Sequence, residues 1–263
     1  MVGPLEGVTV IEIQSIGPGP FCAMMLADMG ATVIRVDRTS AVQPNIDAPA
    51  PQDVLARSRS SVAIDLKHSQ GPDVLLALVE KADILIEGFR PGIAERLGVG
   101  PQDCWEVNAG LVYGRMTGWG QEGPASKTAG HDINYIARTG ALHAMGRSGG
   151  RPMVPLNLVG DFGGGGMFLA FGVVCALLEA RKSGRGQVVD AAMVDGASTL
   201  MAMFHSLAAL GFWEEDRGTN LLDGGAHFYD TYETSDGKYL ALGAIEPQFY
   251  AELVDKLGLA DRD

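Results

Sequence analysis

The chain has 263 residues, of which 46% are hydrophobic and 20% charged, a composition that excludes the disordered, collagen-like and mucin-like classes. Its 20 Lys and Arg stand against 32 Asp and Glu, and the net charge of −12 argues against nucleic acid or an anionic membrane as a partner. An anionic ligand would therefore have to be met by cations gathered in one site.

Neither the cysteine spacing nor the N-terminal sequence points to secretion or membrane insertion. Cys22, Cys104 and Cys175 form no C-x-x-C pair, so neither a disulfide framework nor a metal site is expected. The N-terminal residues lack a basic segment followed by an apolar one, and the longest apolar run, at 167–178, is too short to span a bilayer. We expect a soluble, cytoplasmic protein.

The first half of the chain alternates strand and helix patterns. The predicted strands are VTVIEI (8–13), TVIRVD (32–37), SVAIDL (61–66), DILIEGF (83–89) and LVYGRM (111–116). Segments with helical spacing of apolar residues separate them. This alternation predicts an α/β fold, with a large open parallel sheet of Rossmann-like order covered by helices on both faces.

After residue 120 the pattern changes. An apolar helix is predicted at 165–181, a strand near QVVDAAM and one helix at 194–210. Segment 227–244 alternates apolar and polar residues around Ser235-Asp236-Gly237, which predicts an antiparallel hairpin. We therefore expect two domains, an α/β domain at 1–194 and, at 195–263, a linker helix with the start of a smaller α+β domain.

The turn after the first strand is similar to a dinucleotide-binding fingerprint. Gly17 and Gly19 follow a strand, and Asp37 ends the next strand, where an acidic residue would bind a ribose. The third glycine position is Cys22, however, and Pro18 removes a backbone N–H that a pyrophosphate would need. A tightly packed strand-to-helix turn explains the glycines better, and NAD binding remains an alternative.

Three cations lie at or just after predicted strand ends. They are Arg38 after VIRVD, Lys67 after IDL and Arg90 in GFRPG. Ligands of open α/β sheets bind at the carboxyl ends of the strands, so these side chains together are expected to bind a polyanion such as a phosphate group. Each of them alone is better explained as a solvated surface charge.

Three further residues are candidates for proton transfer. His131 lies in the loop segment GHDINY, and an imidazole titrates near neutral pH. Asp161 precedes four glycines at a predicted helix start, where capping would explain the aspartate but not the glycines. Their bare N–H groups are expected to approach a ligand or an oxyanion. Glu246, before a proline-started helix, suits the helix dipole and needs a partner to be functional.

Taken together, these segments resemble CoA-transferase family III, and within it the α-methylacyl-CoA racemase branch. The resemblance covers nearly the whole chain and includes GPGPFCAMMLADMGATVIRVDR, IDLKHSQG, IEGFRPG, AGHDINY, PLNLVGDFGGGGMFL and GAIEPQFY. It implies that His131 and Asp161 are the paired catalytic acid and base, with Glu246 hydrogen-bonded to the histidine. It also implies contacts with the CoA thioester from Arg38, Ile64, Asp65, Leu66, Lys67, Arg90, Gly130, Asp132, Ile133, Asn134 and Tyr135.

The implied activity is racemisation of 2-methylacyl-CoA thioesters in fatty acid and lipid metabolism, by two bases and without a cofactor. His131 would act on the S face of the α-carbon and Asp161 on the R face. The transferase branch uses the aspartate matching Asp161 as a nucleophile, so a CoA transferase is the alternative from the same family. His131 and Glu246 favour the racemase, because a proton shuttle needs a second base.

The resemblance also implies an interlocked homodimer and a C-terminal segment that this sequence lacks. Family members are longer and complete the small domain with that segment. We therefore also consider a catalytically impaired chain that binds CoA.

Overall fold

The computed structural model describes residues 3–39 and 52–259. The chain forms two compact units, one of Met1–Thr139 with Leu156–Leu200, and one of Gly140–Pro155 with Met201–Asp263. This division differs from the predicted boundary between residues 194 and 195. The helix before that boundary continues to Leu200, and segment 140–155 packs with the second unit.

The first unit contains a parallel six-stranded sheet in the order β3-β2-β1-β4-β5-β6. Its strands are β1 (Thr9–Ile13), β2 (Thr32–Asp37), β3 (Arg59–Ala63), β4 (Ile84–Glu87), β5 (Val112–Thr117) and β6 (Val188–Ala192). The α/β fold class with Rossmann-like alternation is confirmed. The strand order reverses direction between β1 and β4, which is where open α/β sheets bind their ligands.

Helices follow the strands as the alternation predicts. In chain order they are α1 (Pro18–Asp28), a 3₁₀ turn (Val54–Ala56), α2 (Gly71–Val79), α3 (Ile93–Arg96), α4 (Pro101–Val107), α5 (Asp132–Arg138), α6 (Ala141–Ala144), a π-helix (Leu158–Met167), α7 (Phe168–Ser183), α8 (Met193–Leu200), α9 (Ala202–Ala209) and α10 (Pro247–Lys256). Helices α6, α9 and α10 belong to the second unit.

Both faces of the sheet are buried, as expected for parallel strands. Val10 of β1 packs with Leu26 of α1 and Leu169 of α7 in one core cluster. The neighbouring strand residue, Ile11, packs on the other face with Leu75 of α2. Alternate residues of one strand thus serve two cores, which explains the nearly continuous apolar runs in the sequence.

The π-helix and α7 form one helical segment, Leu158–Ser183, whose most apolar stretch of 18 residues has a mean hydropathy of 1.7. By length and composition this segment could cross a membrane, so the expectation based on 167–178 alone considered too short a stretch. Leu169, Val173 and Leu177 are buried against the sheet. Core packing accounts for these buried positions, whereas Phe171 and Leu178 of the same segment are exposed.

The second unit contains the predicted hairpin. Strands β7 (Thr231–Glu233) and β8 (Tyr239–Ala241) pair antiparallel, and Gly237 adopts a positive φ of 76° in the turn between them. The single helix predicted at 194–210 is two helices, α8 and α9, separated at Met201. The apolar periodicity continues through residue 201, so the sequence did not indicate this break.

Candidate active site

Two cavities lie at the carboxyl ends of the strands in the first unit. The basic cavity, about 510 Å³, is lined by residues that include Arg38, Lys67 and Arg96. The histidine cavity, about 230 Å³, is lined by residues that include Arg90 and His131. Phe89 lines both cavities. Their position next to the reversal of strand order is the usual ligand site of such sheets.

The parallel pairing of β2 with β3 builds one wall of the basic cavity. Asp37 is in register with Ala63, so the next residues, Arg38 and Ile64, leave the sheet side by side. The Ile64 N–H donates to the carbonyl of Asp37 at 2.9 Å. This pairing brings the predicted segment 64–67 and Arg38 into one cavity.

Asp65 shapes the turn that presents Lys67. Its Oδ1 accepts the backbone N–H of Lys67 at 3.0 Å, and both side chains are exposed at the cavity. Arg96, from α3, adds a third cation that the sequence reasoning missed, because it resembles an ordinary exposed helix residue. Exposed cations beside apolar Ile64 and Leu66 suit a ligand with both phosphate and apolar parts.

His131 directly precedes α5 and caps its start through the backbone. The His131 N–H donates to Asn134 Oδ1 at 2.9 Å, and the Asn134 N–H donates to the His131 carbonyl at 2.8 Å. These bonds fix the backbone of His131 and leave its imidazole exposed at the histidine cavity. A histidine held in this way is available for proton transfer.

Tyr135, one turn after His131, forms part of the wall of the histidine cavity. Trp119 contacts its ring edge-to-face, with centroids 4.8 Å apart. A Cβ on Gly130 would lie 2.7 Å from the Tyr135 ring, so this glycine is needed for the close approach. Burial raises the pKa of Tyr135, and the Asp161 carboxyl raises it further.

Asp161 lies in the π-helix and is half-buried. Asn157 Nδ2 donates to its Oδ2 at 3.2 Å. Burial raises the pKa of Asp161, and Asp132 also raises it, while Asn157 and His131 act in the opposite direction. His131 and Asp161 both belong to the first unit, but only His131 is among the residues that line the histidine cavity. A π-helix within a longer helix is itself common at functional sites.

The glycines after Asp161 serve packing. Gly164, Gly165 and Gly166 are buried, and a Cβ on Gly164 would lie 2.5 Å from the backbone N of Ala197 in α8. A Cβ on Gly166 would lie 2.7 Å from the Phe21 ring of α1. Close packing thus explains these three glycines without a ligand, and the approach of their N–H groups to a ligand stays a prediction.

The residues of the predicted ligand segment 130–135 lie in different surroundings, and only some of them line a cavity. Gly130 and Tyr135 line the histidine cavity. Asn134 caps α5 through the bond with His131, and Ile133 is 39% exposed. Asp132 is only 6% exposed, and its Oδ2 accepts the backbone N–H of Asp161 at 2.7 Å. The carboxyl of Asp132 thus has an interior partner, and the contact with the substrate that the resemblance implies for Asp132 stays a prediction.

Glu246 belongs to the second unit. It directly precedes α10, where its carbonyl accepts the N–H groups of Phe249 and Tyr250 at 3.0 and 2.9 Å. Its side chain is exposed. The hydrogen bond to His131 that the resemblance implies stays a prediction.

The turn that is similar to a dinucleotide fingerprint is explained by packing. A Cβ on Gly19 would collide with the Ser15 side chain. Asp37 is 7% exposed and ion-paired with Arg35, with Nε and Oδ1 2.9 Å apart. The carboxylate that would hold a ribose therefore has a protein partner already, which weakens the NAD alternative.

Glu87 holds the loop between the two cavities, and the sequence reasoning missed it. It ends β4, is 2% exposed, and accepts the Phe89 N–H at 2.5 Å. Arg115 lies nearby, with its Nε 3.8 Å from the Glu87 carboxyl, and also pairs with Glu95. Burial raises the pKa of Glu87 to about 7, against the lowering by the Phe89 N–H and by Arg115.

Comparison with known proteins gives consistent results. The model of CoA-transferase family III matches residues 5–263. Alpha-methylacyl-CoA racemase from Mus musculus is 49% identical over 98% of this chain and 66% of that protein. The Homo sapiens racemase is 47% identical over 97% of this chain and 65% of that protein.

The solved structures agree in fold. A CAIB/BAIF family protein from Brucella suis superposes with a TM-score of 0.83 at 25% identity, covering 99% of this chain and 71% of that one. Compared with the mouse and human racemases, the present chain spans about two thirds of their length.

Proposed function

Because the chain belongs to CoA-transferase family III, we propose that it inverts the α-carbon of 2-methylacyl-CoA thioesters by proton transfer between two bases. The similarity to the mouse and human proteins named alpha-methylacyl-CoA racemase supports this choice within the family. The single observation that supports the proposal is that His131 lines the histidine cavity while the Asp161 carboxyl lies against Gly17, whose neighbours Ile16 and Pro18 line the same cavity.

The two cavities suit the two parts of such a substrate. The basic cavity offers Arg38, Lys67 and Arg96 to the phosphates of CoA. The histidine cavity offers Arg90 and His131 to the thioester end. Because Phe89 lines both, a substrate that occupies both cavities passes this side chain.

The chemistry moves protons without changing oxidation state. One base takes the α-proton and its C–H electron pair forms an enolate with the thioester carbonyl. The other group then donates its own proton to the opposite face of the same carbon, and the enolate returns to the thioester. In the S-to-R direction neutral His131 is the base and protonated Asp161 is the acid, and in the reverse direction the roles are exchanged.

Each group must therefore hold a proton in one half of the cycle. The burial of Asp161 and the charge of Asp132 favour its protonated form, and an imidazole can both accept and donate a proton. Two side chains supply both transfers, so the reaction as proposed needs no cofactor.

CoA transfer remains the second proposal, because the family name describes it. In that reaction Asp161 attacks the thioester carbonyl and CoA thiolate leaves, which gives an anhydride between Asp161 and the acyl group. The thiolate then attacks the Asp161 carbonyl, releases the first carboxylic acid and forms an Asp161–CoA thioester, and a second carboxylic acid takes the CoA by the same two steps in reverse. It requires an acyl acceptor and passes through an adduct on Asp161. The pairing of His131 with Asp161 is not needed for that chemistry, which is why racemisation is preferred.

The test is exchange of the α-proton in deuterated water. Each epimer of a 2-methylacyl-CoA is incubated with the chain, and the thioester is analysed by mass spectrometry and chiral chromatography. The proposal predicts gain of one deuteron and inversion with either epimer, with His205→Ala as a control on a histidine of α9. Full retention of protium with an acceptor-dependent, hydroxylamine-trappable adduct would favour the transferase, and CoA binding without either reaction would favour an impaired binding protein.

The acyl-CoA partner belongs to this proposal. A homodimer, a cytoplasmic location and a place in fatty acid metabolism stay predictions from the sequence and its resemblance. Gel filtration with light scattering tests the first of them directly.

A further inference from the structure

Asp132 occupies an unusual position between the two groups that the proposed reaction uses. It follows His131 in the chain and is 6% exposed. Its Oδ2 accepts the backbone N–H of Asp161 at 2.7 Å, although 29 residues separate the two in sequence. The Asp132 carboxyl thus connects the chain segment that carries His131 to the backbone of Asp161.

Gly160 leaves the space for this contact. A Cβ at that position would lie 2.6 Å from Asp132 Oδ2. Any side chain there would therefore push the carboxyl away from the Asp161 N–H. The glycine before Asp161 is explained by the carboxyl that packs against it.

The Asp132 carboxyl is incompletely satisfied. Its Oδ1 is buried and has no hydrogen-bond partner within the described residues 3–39 and 52–259. No salt bridge to Asp132 is found in that part of the chain either. Burying a carboxylate without a cation is unfavourable, and the start of α5 offsets only part of the cost through its dipole. An asparagine or serine side chain could accept the Asp161 N–H without introducing a charge. The negative charge of Asp132 therefore needs an explanation of its own.

We propose that Asp132 is a positioning residue for the proposed proton transfer, which fixes the backbone of Asp161 relative to His131 and places a second negative charge beside the Asp161 carboxyl. This inference rests on the proposed function. The contact with the substrate that the resemblance implies for Asp132 stays a separate prediction.

The physical reason lies in the matching of proton affinities. In water the pKa values of aspartate and histidine differ by roughly 2.6 units, so a proton shared between them would stay almost entirely on the histidine. A racemase must place the proton on either group, because each acts as acid in one direction. A negative charge beside Asp161 raises its proton affinity and reduces the difference in proton affinity between Asp161 and His131.

The other groups around Asp161 do not supply this effect. Among the groups described, those that face its carboxyl are Asp132, His131, Tyr135 and the neutral amide of Asn157. His131 and Asn157 lower the pKa of Asp161. On α8, which packs against the same π-helix, Asp195 interacts with Asp190. Asp132 is the neighbouring charge that acts in the required direction.

The experiment separates the charge of Asp132 from its hydrogen bond. Asp132→Asn keeps an acceptor for the Asp161 N–H and removes the charge, whereas Asp132→Ala removes both. For both epimers, the acid limb of the kcat/KM profile of Asp132→Asn should move to lower pH by about one unit. The shift must be equal for the two epimers, because the overall equilibrium fixes the ratio of their kcat/KM values.

Asp132→Ala should be at least tenfold slower than Asp132→Asn, because Asp161 loses its backbone anchor as well. Asp103→Asn is the matched control, since Asp103 also accepts a backbone N–H at a helix start, from Gly100 at 2.9 Å. Its pH profile should be that of the wild type. A higher KM in Asp132→Asn with an unmoved acid limb would overturn the inference and would instead support a contact between this side chain and the substrate.

A second measurement does not depend on activity. Carboxyl ¹³C NMR of the ligand-free chain follows the titration of Asp161 directly, and Asp132→Asn should lower its midpoint, while Asp103→Asn should not. If the wild type shows no isotope exchange but this midpoint falls, the proposed function fails and the placement of charge stands. If exchange occurs and the midpoint does not fall, only this inference fails. If the Asp132→Asn variant does not fold, the wild type is used instead. Its Asp161 resonance should then shift at the pH at which the Asp132 carboxyl changes charge. Titration of Asp161 that does not depend on the charge of Asp132 would overturn the inference.

Discussion

Gly17 and Asp161 meet at the edge of the histidine cavity. A Cβ on Gly17 would lie 3.0 Å from Asp161 Oδ2, and the neighbours Ile16 and Pro18 line that cavity. Gly17 also has a φ of 71°, a conformation that favours glycine. The turn before α1 is therefore shaped both by its backbone and by the carboxyl that rests on it.

Gly17→Ala should reduce isotope exchange at least tenfold, because the added methyl group crowds the Asp161 carboxyl. The left-handed conformation should also cost about 1–2 kcal/mol of the free energy of unfolding. Activity assays and urea denaturation measure the two effects separately. Gly184→Ala provides the control, since Gly184 has a φ of 74° and open space around its Cβ position. It should show the stability cost without the loss of exchange, and an equal loss in both variants would contradict the contact with Asp161.

Helix α8 and the π-helix approach each other through two glycines. A Cβ on Gly196 would overlap the carbonyl oxygen of Gly164. Gly196→Ala should therefore lower the free energy of unfolding by about 1–3 kcal/mol, the cost of overpacking where backbone cannot move aside. Thermal or urea denaturation measures it. Ser198→Ala, on the exposed side of the same helix, should change stability by less than about 0.5 kcal/mol, and equal effects of the two variants would contradict the close packing.

Glu87 should make stability depend on pH. Its pKa rises from the ordinary value of 4.5 to about 7 in the folded chain, mainly through burial. A carboxyl that binds its proton more tightly when folded stabilises the fold fully below pH 4.5, and this contribution is lost as pH rises through 7. At about 1.4 kcal/mol per pKa unit the loss is about 3 kcal/mol.

Glu87→Gln should remove this dependence. Relative to wild type, the variant should gain up to about 3 kcal/mol in free energy of unfolding between pH 4.5 and pH 8. Urea denaturation at the two pH values measures the difference. Exposed Glu80→Gln should change stability by less than about 0.5 kcal/mol at both. A Glu87→Gln variant that gains nothing with rising pH would show that Arg115 compensates the buried charge.

The basic cavity should bind CoA through its cations. Arg38→Ala and Lys67→Ala should each weaken CoA binding about tenfold, the loss expected for one charge-assisted contact. Isothermal titration calorimetry measures the dissociation constants, which should rise with salt because the contacts are exposed. Lys182→Ala, on the exposed last turn of α7, should bind as the wild type does. Unchanged affinity in both cavity variants would contradict the assignment of this cavity to CoA.

Much of the fold was predictable because strand and helix periodicities are local. The apolar runs at 32–37 and 111–116 and the turn at Ser235-Asp236-Gly237 indicated the parallel sheet and the hairpin. The break at Met201 was not predictable, because an apolar pattern continues across it. Nor was the grouping of segment 140–155 with residues after 201, which depends on contacts far apart in sequence.

The candidate site was predictable where chemistry is unusual for its surroundings. A loop histidine and cations at strand ends gave His131, Arg38 and Lys67. The contacts that hold the site were not predictable, because the carboxyl of Asp132 contacts the backbone of Asp161 only in the folded chain. Glu87 carried a signal that was overlooked, since a charged residue closes an otherwise apolar strand.

The most direct test of the two-base assignment is α-proton exchange in deuterated water by His131→Ala and Asp161→Ala, each with each epimer. His131→Ala should still exchange the proton of the R epimer through Asp161, and Asp161→Ala that of the S epimer through His131, with no inversion in either variant. Exchange of both epimers by either variant, or continued inversion, would show that these two side chains do not act on opposite faces of the α-carbon.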